Sequence, residues 1–201
     1  MTAWSRRCLT YRMFDTLDAV RTDIAQRLKR GASDRKSAFH CPAIATADAD
    51  ARIMVLRAFD EDAWTLRFNT DARAPKVAAI GESAPVGVLF YDAGAKIQLR
   101  CRGTGRIEHY GPIADAAWEE ATNFARRCYL GDGPGAVSDG PTSGLPERFE
   151  GVEPSDEDLE PARENFAVLL VTVEEADWFY LSNDGHVRAQ FLHGKGRWVA
   201  P

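Results

Sequence analysis

The sequence has little cysteine, and its four cysteines (Cys8, Cys41, Cys101 and Cys128) form no C-x-x-C pair. Their spacings fit no zinc module; they read as reduced thiols, several of them buried, in a cytoplasmic protein. No apolar run approaches the roughly 18–20 residues that cross a bilayer, and the opening MTAWSRRCLTYRMF lacks the apolar stretch of a signal peptide. Positive charge is not in excess: 25 Lys and Arg stand against 30 Asp and Glu, a net charge of −5. That balance argues against a general role on nucleic acid or at a membrane surface. The glycine-rich nucleotide loops G-x-G-x-x-G and Walker A are missing, as are H-E-x-x-H and G-x-S-x-G. The four histidines, His40, His109, His186 and His193, are scattered, and no metal site is expected.

What is present fits one soluble domain over residues 1–201, with 45% hydrophobic and 27% charged residues and no internal repeat or linker. Apolar residues at Phe14, Leu17, Val20, Ile24 and Leu28 predict an N-terminal helix over about 13–30, with Gly31 as its C-cap. Short strands follow: CPAIATAD, RIMVLRAF, WTLRFNT, PVGVLFYD and the long KIQLRCRGTGRIEHY. In the last of these, Lys96, Gln98, Arg100 and Arg102 face one way and Ile97, Leu99 and Cys101 the other. The GTG at 103–105 reads as a bulge rather than a phosphate cradle. DARAPKVAAIGES predicts a short helix or turn, and PIADAAWEEATNFARRCYL a second clear helix. Residues 131–154, dense in glycine and proline, form a long loop. Ser155 opens a capping box closed by Asp158. FAVLLVTV is a buried strand, and DWFYLSNDGHVRAQFLHGKGRWVAP reads as two more strands, with turns at Asn183–Gly185 and Gly194–Gly196. Hairpin connections dominate, which predicts a mostly β fold: an antiparallel closed or split barrel with helices packed outside it.

The chemistry concentrates at 52–76. Arg52, Arg57, Asn69, Thr70, Arg73 and Lys76 supply, within 25 residues, the guanidinium forks, lysine and hydroxyl that phosphate recognition requires. The same residues also read as a solvated edge whose long side chains cover apolar surface. Arg52 and Arg57 are five apart, so in a regular strand they point to opposite faces.

An arginine, four apolar residues and a second basic residue come first. A short turn, an aromatic strand ending in Asn-Thr, and Arg and Lys before a helix follow, and a later strand carries Gln before a Gly. This pattern resembles the pyridoxamine 5'-phosphate oxidase-like family of FMN-binding split barrels. The resemblance is strongest over 41–105 and extends to the C-terminal DWFYLSNDGHVRAQF. It implies FMN in a cleft between two subunits of a homodimer. The flavin would be lined by Arg52, Ile53, Met54, Val55, Leu56 and Arg57 and bound by Asn69, Thr70 and Gln98. Arg73 and Lys76 would hold its phosphate, and Trp178 and Gln190 would reach it from the second subunit. Pro75 falls where the oxidases usually have arginine.

The vitamin B6 oxidases grip their substrate with an Arg-x-His pair, whereas here the order is His186-Val187-Arg188. Those two residues and Arg126, with Tyr129 a partial match, are the substrate-binding candidates; no catalytic acid or base is assigned. The expectation is an FMN-binding oxidoreductase acting on a small molecule. The alternatives are a pyridoxamine/pyridoxine 5'-phosphate oxidase proper and a non-catalytic flavin- or haem-binding protein.

Overall fold

The computed structural model describes residues 14–183 and 185–201. Met13 and Cys8, and Asp184 in the expected 183–185 turn, lie outside the described residues. Helix α1 (Leu17–Ser33) starts at Thr16, whose hydroxyl accepts the Ala19 N–H at 3.1 Å, and it buries Val20, Ile24 and Leu28 completely. It does not end at Gly31 as expected; Asp34 caps it, donating its N–H to Arg30 O. Gly31 serves close packing instead, because a Cβ there would stand 2.7 Å from the Phe39 carbonyl oxygen.

The strands are β1 (Ala43–Thr46), β2 (Ala51–Ile53), β3 (Leu56–Asp60), β4 (Thr65–Asp71), β5 (Ala84–Asp92), β6 (Ile97–Glu108), β7 (Phe166–Tyr180), β8 (Val187–Leu192) and β9 (Lys195–Val199). RIMVLRAF is therefore two strands, not one. Met54 and Leu56 donate their N–H groups to Pro42 O and His40 O, so the backbone leaves its ladder at Met54–Val55. DWFY is not a separate strand either, but continues FAVLLVTV in the 15-residue β7. The smaller helices are α2 (Pro75–Ile80), α3 (Pro112–Glu119), α4 (Asn123–Arg126) and α5 (Asp156–Leu159). The single helix expected over 112–130 is broken because Thr122 caps a new start, accepting the Ala125 N–H, and a 3-10 turn over Arg127–Leu130 follows. The Ser155–Asp158 capping box is present at α5.

All pairings are antiparallel, in the order β2-β1-β5-β6-β7-β4-β3, with β8 on β7 and β9 on β8. One edge of β7 is shared, by β4 along residues 166–172 and by β8 along 175–180. The sheet curls into a split half-barrel around Phe68, Phe90, Leu99 and Trp178, with α1 packed against that core. The register shifts at Arg102/Gly103, so the GTG stretch does begin with a bulge. A Cβ on Gly103 would lie 1.9 Å from Thr172 O, which is why glycine stands there.

Candidate functional site

An open cavity of about 340 Å³ lies where β4 ends, within the size range of small-molecule sites. Asn69, Thr70 and Asp71 come from β4, Arg57 from β3, and Lys76 from the first turn of α2. The break between β2 and β3 lays Ile53, Met54 and Val55 along one side. Residues on either side of the break need not alternate as in one strand, so Ile53–Val55 and Arg57 reach the same cavity, whereas Arg52 does not line it. The opposite wall comes from after α4: Cys128, Tyr129, Asp132 and Pro134.

Two cations, Arg57 and Lys76, face the cavity beside the carboxylates Asp71 and Asp132, and Asp71 is already paired with Arg73. The Lys76 ammonium donates to the Thr70 hydroxyl at 3.2 Å. Burial pushes its pKa down and neighbouring Arg52 adds to this, against the pull of Asp71 and Asp50, so an added negative charge here is stabilised. Arg57 is exposed and has no hydrogen bond or ion pair among the described residues. The Asn69 side-chain oxygen is buried without a partner, leaving an acceptor for a ligand donor. Burial, and then Cys128, push the Tyr129 phenol well above its usual range, which keeps it a neutral hydroxyl.

The other sequence candidates do not line this cavity. Arg52 donates to the Thr46 hydroxyl at 2.8 Å and pairs with Asp50. Leu56 is wholly buried in the core. Arg73 is bound to Asp71 and to Gly131 O. Trp178 has no exposed surface to offer a flavin; its indole N–H donates to Asp23 at 3.0 Å and its ring packs 4.7 Å from Phe14. Arg126, expected on the substrate, instead caps the end of α3, donating to Trp118 O at 2.8 Å and Glu119 O at 3.0 Å. His186 is exposed, edge-on to Phe179.

Gln98, Arg188 and Gln190 stand on the outer face of the sheet around Asp177, which is 1% exposed. Asp177 accepts from Arg100 at 2.6 Å, Arg188 at 2.7 and 2.9 Å, and Gln190 at 3.1 Å. Burial raises its pKa, but these donors outweigh burial and hold the carboxyl below its ordinary value. Sequence reasoning missed Asp71, Cys128, Asp132 and Pro134 as pocket residues; the one signal was the glycine- and proline-rich composition beyond residue 131.

The family comparison bears on the first half of the chain, and the structural comparisons on most of it. Residues 20–109 match the family model "Pyridoxamine 5'-phosphate oxidase, FMN-binding domain". Comparison with curated proteins gives no match. Among solved structures, a pyridoxamine 5'-phosphate oxidase-related, FMN binding protein from Nostoc punctiforme is 23% identical, covering 90% of this chain and 96% of that one with a TM-score of 0.68. PhzG from Burkholderia lata, in complex with tetrahydrophenazine-1-carboxylic acid, is 14% identical, covering 90% and 88% with a TM-score of 0.58. A general stress family protein from Xanthomonas campestris is 14% identical, covering 83% and 90% with a TM-score of 0.50. Arg57, Asn69, Thr70 and Lys76 lie inside the matched segment, and the wall from Cys128 to Pro134 lies outside it. Over residues 20–109 the chain is similar to the FMN-binding domain of the pyridoxamine 5'-phosphate oxidase family, and its fold is the split barrel of these solved structures.

Proposed function

We propose that the cavity at the end of β4 is the FMN site, and that the protein is a homodimeric oxidoreductase acting on a small molecule. The observation that carries this reading is the convergence of unpaired Arg57, Lys76 with the Thr70 hydroxyl, and the orphaned Asn69 oxygen on one cavity. Arg57 and Lys76 would hold the phosphate, Thr70 and Asn69 would bind polar groups next to it, and Ile53, Met54 and Val55 would line the apolar ring. Bound FMN supplies two-electron chemistry, and the residues around it position the substrate and exclude water.

The dimer reading rests on the outer sheet face. Across seven strands, Ile53, Ala43, Leu89, Arg100, Asp177, Gln190 and Arg197 stand in one row. Ile53, Leu89 and the neighbouring Tyr91 are exposed large apolar residues, and Ile53 also lines the cavity, so the face runs into the site. A second copy seated there would bring Gln98, Arg188 and Gln190 beside the partner's flavin, burying at least roughly 1,200–2,000 Å². The B6 oxidase reading is disfavoured because the Arg188 guanidinium is committed to Asp177. No helix among the described residues is long and apolar enough to cross a membrane. Free Cys41, Cys101 and Cys128 support a reducing, cytoplasmic setting.

The purified protein is expected to be yellow, with flavin absorbance bands, and to scatter light as a dimer. A protein that binds no added FMN, or a flavin-loaded monomer at micromolar concentration, contradicts the reading.

A further inference from the structure

Arg73 lies in the basic stretch that the sequence matches to phosphate binding, yet all three of its guanidinium nitrogens are engaged within the protein. Nε donates to Asp71 at 3.0 Å, Nη2 to the same carboxylate at 2.7 Å, and Nη1 to Gly131 O at 3.0 Å. Its backbone N–H donates to Asp71 as well, at 2.8 Å. Asp71 is itself nearly buried, so the pair forms a fixed bracket at the end of β4.

The segment held by this bracket closes on itself. Asp132 N–H donates to Gly144 O at 2.8 Å, and a Cβ on Gly131 would stand 2.6 Å from the same oxygen. Gly133 rests on the Arg73 side chain, where an added Cβ would lie 3.5 Å from Arg73 Cβ. A second pin lies nearby: Asn165 takes the Ala72 N–H on its carbonyl and donates its side-chain amide to Tyr129 O. The neck at 131–144 is therefore clamped to β4, and Asp132 and Pro134 face the cavity. Residues 135–143 are exposed beyond it.

We propose that Arg73 is a positioning residue rather than a phosphate ligand: it pins residues 131–144 as the second wall of the cavity, and that wall retains whatever ligand enters. The proposal rests on the FMN reading of the cavity only for the identity of the ligand. A phosphate ligand acts on FMN alone, whereas a wall acts on FMN and riboflavin alike.

The test titrates both flavins into the full chain carrying Arg73→Ala, and follows limited proteolysis of the flavin-free protein within 132–143. Arg73→Ala is expected to weaken FMN and riboflavin by the same factor, about tenfold, as loss of one charge-assisted hydrogen bond implies. It should also speed cleavage in 132–143 several-fold. Gly131→Ala, which forces the neck apart while keeping the Arg73 and Lys76 side chains, should reproduce both effects. Loss of FMN affinity with riboflavin unchanged, or unaltered cleavage in both variants, overturns the proposal. If the wild-type chain binds neither flavin, the FMN reading fails while the cleavage rates still decide the role of Arg73.

Discussion

Replacing Asp177 with asparagine removes one charge from the centre of the outer sheet face. The wild-type carboxylate, 1% exposed, takes four hydrogen bonds from Arg100, Arg188 and Gln190. The amide keeps the shape but presents two donors to two guanidinium groups that are already donors. Breaking one side of a buried ion pair typically costs about 3–5 kcal/mol. In the single protomer the Arg100 and Arg188 side chains retain 38% and 23% exposure, so water reaching them takes up part of that penalty. A loss of about 2–4 kcal/mol is the expected result. At about 2–4 °C per kcal/mol for a chain of this size, the melting temperature should fall by about 4–16 °C in calorimetry. Because the folded carboxyl sits below its ordinary value, the wild-type stabilisation is present above pH 4 and is lost as pH falls through the folded pKa. The two proteins should therefore converge in acid. Arg102→Ala is the control: its 62% exposed pair with Glu175 should contribute under about 1 kcal/mol. An Asp177→Asn protein within about 0.5 kcal/mol of wild type at pH 7 would refute the reasoning.

Two further outcomes follow from packing and burial. Gly103→Ala, whose methyl would stand 1.9 Å from Thr172 O, should cost at least about 3 kcal/mol or prevent soluble expression; a normal urea midpoint contradicts the bulge account. Burial pushes the Cys101 thiol up to about 12, so native alkylation mapped by mass spectrometry should label exposed Cys41 and Cys128 long before Cys101. The unfolded thiol ionises near 9 and the folded one near 12, so the unfolded state holds fewer protons between them, and this group lowers stability as pH rises through that window.

The alternation in β6 was legible because a two-sided strand must put Ile97, Leu99 and Cys101 on one face, and those residues are buried. The Ser155–Asp158 box was legible because its bonds are local. Of the cavity residues, Arg57, Asn69, Thr70 and Lys76 stood out as a cluster because they lie within 25 positions of one another, whereas Ile53–Val55 entered only through the family resemblance. Features set by distant partners were not legible. The strand breaks at Met54–Val55 because Pro42 and His40 carbonyls take the Met54 and Leu56 N–H groups, and Gly31 sits inside α1 because Phe39 returns against it. Arg126 is drawn to the carbonyls of α3 because two helices replace the one that periodicity gives. The family resemblance puts Trp178 beside a partner's flavin, but the alternation of β7 turns it inward to Asp23.

The central claim is that Arg57 and Lys76 recognise a phosphate. Parallel fluorescence-quenching titrations of FMN and riboflavin into wild-type and Lys76→Ala protein test it most directly. Charge-assisted contacts of about 1.5–3 kcal/mol each should make wild-type protein bind FMN at least about tenfold more tightly than riboflavin. Lys76→Ala should lose about tenfold or more for FMN and less than about twofold for riboflavin. Equal affinity of the wild-type protein for the two flavins would contradict the account.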